Sequence, residues 1–277
     1  MSSILTNNGA MVALQTLKSI NKDLTATQNA ISTGKDIASA KDNSAIWAIS
    51  KVMESDVAGF NAVEDSLALG ESTVAVALAG AEQITNILDD IKEKVVAATG
   101  ENVDHTKLTA DITELTNQVD AIIAGSQFNG TNLLNDDGID LVVLASINRQ
   151  SDGTVAEATN TTITAASVDF TSNLDLSDID VTDAATAQTS IENLEVHIQT
   201  AIDGAAALGA SSSRISDQRE FVGKLTDAMK SGIGALVDAD MEAASARLQA
   251  LQTQQQLGVQ ALSIANQAPQ TILSLFR

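Results

Sequence analysis

Residues 60–95 read FNAVEDSLALGESTVAVALAGAEQITNILDDIKEKV. Within them Phe60, Val63, Leu67, Gly70, Val74, Ala77, Ala81, Ile84, Leu88, Ile91 and Val95 recur at steps that alternate three and four without a slip. That spacing keeps one narrow apolar seam on a supercoiling helix, and such a seam requires a helical partner. Extended back to Ala45 and on to Ala98, the pattern predicts a rod of about fifty residues, roughly 80 Å long at about 1.5 Å per residue, well beyond the ordinary globular helix. The fold class that follows is mainly α, an elongated coiled-coil-like helix bundle.

Working outward toward the C-terminus, Gly100 is placed to stop the rod, and Asp104 to cap a second helix with the seam Leu108, Ile112, Leu115, Val119 and Ile122. The stretch Gly125–Gly130 ends this antiparallel hairpin, with Phe128 expected as an aromatic plug. From Leu133 to about Asp183 the composition turns to Thr, Asn, Ser, Asp and β-branched residues, which predicts a small β-rich excursion over about 134–183. Its strands are Leu141–Ile147 and Thr161–Ala165, joined through a turn at Ser151, Asp152 and Gly153. Helical periodicity returns with Ala187, Ile191, Leu194, Ile198, Ala201, Ala205, Leu208, Ser212, Ile215 and, after a one-residue slip, Val222. This is the partner that the long rod requires.

Working outward toward the N-terminus, residues 5–31 form an amphipathic helix with the seam Ala10, Leu14, Leu17, Asn21, Leu24, Gln28 and Ile31. Gly34 is its stop, and Ser39, Ala40, Lys41 and Asp42 lie in the connection to the rod. A last seam runs Met241, Ala244, Leu248, Leu251, Gln255, Gly258, Leu262 and Ala265, and the single proline, Pro269, is expected to disrupt regular helix. The closing residues Ile272, Leu273, Leu275, Phe276 and Arg277 are nearly all apolar, which invites burial in a partner.

Composition supports an aliphatic helix bundle: 44% of the 277 residues are hydrophobic but only 2% aromatic. Cysteine is absent, so neither disulfides nor thiolate metal sites staple the fold. The net charge of −21 is unevenly spread. Residues 1–45 hold four lysines against three aspartates, and residues 241–277 two arginines against one glutamate, so an excess of −23 falls between. An acidic centre argues against nucleic acid as a partner, and the near-neutral ends resemble surfaces meant to be packed against protein. No apolar run has the length of a membrane helix, and Met1–Ala10 lacks the basic segment and apolar core of a cleaved signal peptide.

A search for chemistry finds none. His105 and His197 have no carboxylate or second histidine at metal-ligand spacing, and both are expected to be solvated. Asn148, Gln150, Asp152 and Gly153 resemble the opening of a calcium loop, but the closing position is Thr159 rather than a bidentate glutamate. Asp89 with Asp90, and Glu64 with Asp65, are sequence neighbours that point to different sides of a helix, which suits an acidic solvated face better than paired acid and base work. No catalytic residue, metal ligand or cofactor is expected.

Both ends of the chain resemble bacterial flagellin. Ile31–Ala45 read ISTGKDIASAKDNSA, similar to that family's L-S-S-G-x-x-I-x-S-A-K-D-D-A-A signature. Gln127–Leu133 read QFNGTNL, which resembles the T-Q-F-N-G segment after its helical hairpin. Ala265–Gln270 read ANQAPQ and Ile272–Arg277 read ILSLFR, similar to A-N-Q-x-P-Q followed by L-S-L-L-R. The resemblance covers about the first 135 residues and the last 90, and the large variable outer domains of longer flagellins are missing.

What the resemblance implies is a subunit that self-assembles into the flagellar filament for motility, extracellular and exported without signal cleavage. Its implied layers are an inner filament-core domain of residues 1–44 with 238–277, the two terminal segments packed together, and an outer helical bundle of residues 45–237. Inner-core assembly would then rest on Leu14, Leu17, Leu24, Ile31, Leu248, Leu251, Leu262, Ile272, Leu273, Leu275 and Phe276. Implied partners are further copies in a helical homopolymer, the export machinery, a flagellin chaperone, and the hook-filament junction and cap proteins. A hook-filament junction protein is the alternative within the same class, and an enzyme on a filament-like scaffold the alternative from another. In many flagellins a segment resembling L-Q-R-V-R-E-L-A-V is gripped by a Toll-like receptor. Here the matching residues are Leu88, Asp89, Asp90, Ile91, Lys92, Glu93, Lys94, Val95 and Val96. Acids at Asp89 and Asp90 replace the family's glutamine and arginine, so recognition is expected to be weak or absent.

Overall fold

The computed structural model of the chain describes residues 7–135, 139–147 and 162–274, with side chains described through residue 267. The chain divides into two compact units, Met1–Ser55 with Ala228–Arg277, and Asp56–Asp227. The fold is mainly α, with long packed helices and a few short strands. Helix α1 spans Asn8–Thr33, α2 Ser44–Ala98 and α3 His105–Gly125. Short strands β1 (Gln127–Phe128), β2 (Thr131–Asn132), β3 (Leu141–Leu144) and β4 (Thr162–Ala165) follow, then the short α4 (Phe170–Asn173), α5 (Ala184–Val237) and α6 (Met241–Ser274).

In the unit Asp56–Asp227 the seam of α2 is dry. All eleven alternating positions from Phe60 to Val95 are buried, and Val63, Leu67, Val74, Ile84, Leu88, Ile91 and Val95 expose nothing. Each such side chain is worth about 1.5–3 kcal/mol of transfer free energy. Cross-links set the direction of the neighbours. Lys92 pairs with Glu195 and Arg219 with Glu71, so α5 runs antiparallel to α2, while Lys94 reaches Asp111 of α3 at 3.6 Å.

Helix ends follow local chemistry. Asp104 caps α3 by accepting from the Lys107 N–H. Gly34 ends α1 in the left-handed region at φ 70°, which glycine enters without steric cost. Gly100 does not act this way: α2 ends at Ala98, and the Thr99 hydroxyl donates to the Val96 carbonyl at 2.8 Å. Pro269 does not end α6, whose backbone continues to Ser274. A proline removes one helical donor, and neighbouring turns can carry the helix past it.

The expected slip in α5 does not occur. The buried positions Ala187, Ser190, Leu194, His197, Ala201, Gly204 and Leu208 step by three and four, and Ile215 and Val222 follow at seven, with half-buried Ser211 and Gln218 between them. Reading only apolar residues moves two positions by one, to Ile191 and Ala205, where the seam carries Ser190 and Gly204; at the third, Ile198 is buried as expected and His197 is buried beside it. Ser190, His197 and Gly204 each meet a partner from the chain before α5. Ser190 bonds both the N–H and the carbonyl of Asp180 at 2.8 Å. His197 binds Asp178, and Gly204 gives room to Phe170, whose ring carbons would lie 2.7 Å from a Cβ there.

The excursion is two strand pairs. β1 and β2 form a hairpin that pairs Phe128 with Thr131, and β3 pairs antiparallel with β4 from Leu141↔Ala165 to Leu144↔Thr162. The proposed turn at Ser151–Gly153 and the calcium-like residues Asn148 to Thr159 lie outside the described residues. Phe128 is only half-buried, and the aromatic plug of this unit is Phe170, which exposes nothing. In α3 the last seam position is Ile123 rather than Ile122.

Candidate assembly interface

The unit Met1–Ser55 with Ala228–Arg277 is built on an antiparallel pair, α1 against α6. Asn7 caps α1 through Ala10 and also donates its side-chain amide to the Ala265 carbonyl at 2.7 Å. Further along, Gln255 donates to Asn21 at 2.7 Å. At the other end, Ala239 N–H donates to the Gly34 carbonyl at 2.9 Å, and the backbones of Lys35 and Asp238 pair in an isolated antiparallel β-bridge. Asn21 and Gln255, the polar residues that the periodicity places in the two seams, thus bond each other. Lys51 and Lys35 both hold the Glu54 carboxyl below its ordinary range.

The seam of α6 lies as the periodicity placed it from Ala244 to Ala265, with Met241 exposed. The seam of α1 differs. Ala10, Ala13, Leu17, Ile20, Leu24, Thr27 and Ile31 are the shielded positions, whereas Leu14, Asn21 and Gln28 are exposed. A rule that prefers the larger apolar residue picks Leu14, but close approach to α6 favours Ala13, and a Cβ at Gly258 would lie 3.2 Å from Leu17. Of the expected assembly residues, Leu251 alone is buried among those described. Leu17, Leu24, Ile31, Leu248 and Leu262 are half-buried, and Leu14 is 43% exposed. No side chain is described for Ile272 and Leu273, and Leu275 and Phe276 lie outside the described residues.

A second apolar stripe on α6 escaped the sequence reading. Ala243, Ala250, Leu257 and Ile264 recur every seven residues, one position before the seam that meets α1, and all are exposed. Leu257 and Ile264 expose 63% and 70% of their surface. The signal was present as a heptad, but a single-seam template assigns each helix one face only. Met11, Val12 and Leu14 add exposed apolar surface on the stretch of α1 that pairs with this part of α6.

On α2, the segment from Leu88 to Val96 presents two faces. Leu88, Ile91 and Val95 are buried in the seam, while Asp89, Asp90, Glu93 and Val96 are exposed or half-exposed. The lysines face sideways: Lys92 pairs with Glu195 and Lys94 with Asp111. The outward face is therefore acidic, with its cations directed to neighbouring helices.

Neither histidine is the solvated residue that its isolation suggested. His197 is 8% exposed, with Nε2 3.0 Å from the Asp178 carboxylate, and His105 Nδ1 lies 3.0 Å from the Val181 carbonyl. Both hold the same strap, residues 174–183, so their role here is tethering. Among the described residues no group of three or more His, Asp or Glu is placed to hold a metal, and no helix is long and apolar enough to cross a membrane.

A helical structural subunit whose two ends pack together is the class these features define. Comparison with known proteins supplies the family. Residues 4–139 match the bacterial flagellin N-terminal helical region, and residues 191–276 the C-terminal helical region. The chain is 44% identical to flagellin FljK of Caulobacter vibrioides, covering 100% of this chain and 99% of that protein. It is 42% identical to a flagellin of Brucella melitensis, covering both chains completely. The crystal structure of Bacillus cereus flagellin has a TM-score of 0.48 at 22% identity, covering 57% of this chain and 88% of that one. The chain belongs to the bacterial flagellin family and is a short-form structural subunit of the extracellular flagellar filament.

Proposed function

We propose that the two-helix unit is the part of the subunit that other copies complete, and that the acidic bundle is the part that the filament displays. In this reading residues 1–44 with 238–277 form the inner layer and 45–237 the outer one. The observation that carries it is the second stripe on α6. A helix pair with Leu257 and Ile264 uncovered keeps apolar area in water that a third and fourth helix would remove. Leu14, Leu17, Leu24, Ile31, Leu248, Leu251 and Leu262 then divide between the contact within a subunit and contacts between subunits. Ile272, Leu273, Leu275 and Phe276 are assigned to assembly on their apolar sequence alone. Replacing Leu257→Lys and Ile264→Lys together should prevent seeded filament growth in electron micrographs while circular dichroism stays helical. Normal filaments from that variant would refute the reading.

Export without signal cleavage, handling by a flagellin chaperone, and seating between hook-filament junction and cap proteins are proposed on the family resemblance. So is weak or absent recognition by the Toll-like receptor that grips many flagellins. The acidic outward face of Asp89, Asp90 and Glu93 supports this last point, because Lys92 and Lys94 are engaged with Glu195 and Asp111. Asp89→Gln combined with Asp90→Arg should raise signalling in a receptor reporter assay without changing the fold. Full signalling by the unaltered protein would exclude evasion through this face.

A further inference from the structure

The β1–β2 hairpin turns on two residues, Asn129 and Gly130, and both lie in the left-handed region, at φ 50° and 84°. A two-residue hairpin loop demands this, and Asn-Gly is the pair that meets the demand at least cost. In such a turn the ladder uses the groups of the flanking residues, here Phe128 and Thr131. The N–H of the second turn residue, Gly130, has no place in that ladder. Both residues are exposed, and a Cβ built on Gly130 would meet nothing within 4 Å. The Asn129 carboxamide therefore sits beside an unhindered backbone nitrogen, in water, at a loop tip where local opening costs little.

We propose that Asn129 is a site of spontaneous modification by water: intramolecular imide formation with the Gly130 nitrogen, followed by hydrolysis. Gly130 N gives up its proton to hydroxide and attacks Asn129 Cγ. The new Cγ–N bond forms as the bond to the side-chain nitrogen breaks, and ammonia leaves with a proton from water. Water then opens the ring at either carbonyl. Cleavage at Cγ leaves an aspartate at this position, whereas cleavage at the backbone carbonyl leaves an isoaspartyl link, with the chain running through the former side chain. The net exchange is one water consumed and one ammonia released, with no oxidant or enzyme. Attack requires the Asn129–Gly130 peptide to rotate out of the turn, and glycine's missing Cβ with the open surroundings permits that.

Two other asparagines show why the position is singular. Asn8 also precedes a glycine, but Asn8 and Gly9 are held in the first turn of α1. Asn132, at the hairpin's base, is pinned on both sides: its amide donates to the Ile123 carbonyl at 2.6 Å, and its oxygen accepts from Leu134 N–H at 2.8 Å. The isoaspartyl product adds a backbone atom to a two-residue loop, so the Phe128↔Thr131 pairing cannot be kept. Either product adds a negative charge to a bundle that is already strongly acidic.

The test is peptide mapping of the full-length soluble subunit during incubation in mildly alkaline buffer, beside the same chain unfolded in urea. In the folded chain the peptide holding Asn129 should gain one mass unit, with isoaspartate the larger product, at a rate within about tenfold of the unfolded chain because loop-tip opening costs little. Methyl esterification by an isoaspartyl-specific methyltransferase should label the same peptide. Conversion of the unfolded chain with a folded rate more than about tenfold slower, a protection of about 1.4 kcal/mol or more, would overturn the proposal, since the hairpin would then be shielding its own turn.

Discussion

The bundle unit and the two-helix unit share one sequence rhythm and reach different degrees of completion. In the bundle, the α2 seam from Val63 to Val95 is at most 1% exposed at every apolar position, because α3, α5 and the excursion supply walls around it. In the two-helix unit the same three-and-four spacing leaves most seam residues half-exposed, and Leu251 is the one buried leucine among the described residues. Period fixes which face of a helix is apolar, but the number of neighbours fixes how dry that face becomes. A bundle unit closed by its own chain has its seam already out of water without another copy. A pair left open has its remaining area available for association.

The sharpest way to break this contrast is to delete Ile272–Arg277. If this apolar run serves the assembly proposed above, polymerisation should be abolished outright, while the circular dichroism and thermal transition of the bundle stay as they were. Retention of seeded growth, seen by light scattering, would mean the open pair is not the assembly surface.

A smaller effect compares like with like. Leu194→Ala in the bundle should cost about 2–5 kcal/mol in urea unfolding of the soluble subunit, the range for a fully buried leucine. Leu17→Ala, half-buried in the open pair, should cost about 1 kcal/mol. Equal losses would show that the pair is as well packed as the bundle before assembly.

The smallest effect is electrostatic. The Asp183 carboxyl lies below its ordinary range because the Thr186 N–H and hydroxyl donate to it, with Ala185 N–H adding a further bond at the start of α5. A depressed carboxyl contributes stability above its unfolded value, about 3.9, and that contribution is lost as pH falls through the folded value. Asp183→Ala should therefore lower the melting temperature slightly at neutral pH, and the difference from the unaltered chain should close in strong acid. A difference that persists there would assign the effect to packing.

The helical frame was legible in the sequence because a strict three-and-four rhythm held over many turns suits a packed helix and no strand or loop. Phe60 to Val95 needed no correction, nor did the cap at Asp104 or the stop at Gly34. Legibility failed where small or polar residues took seam positions. Ser190, His197 and Gly204 are buried for reasons that lie in another stretch of chain: Asp180, Asp178 and Phe170 respectively. Nothing local to α5 announces them. Leu14 failed in the converse sense, since a large apolar residue was read as facing the partner where Ala13 does. The second stripe on α6 is illegible to a one-seam template because nothing among the described residues covers it.

Glycine on the long helices has a consequence for how the molecule tolerates change. Gly70 on α2 receives Val143, whose Cγ2 lies 2.5 Å from where a Cβ would sit, and Gly204 on α5 receives Val168 and Phe170. These are keyways, and the excursion carries the keys. A part held by a few keyed side chains can be exchanged as a cartridge: its length and outer sequence are free to vary while the frame keeps its shape, provided that something still fills the slots. Filling a slot with a methyl group instead would lock the cartridge out and leave the frame intact.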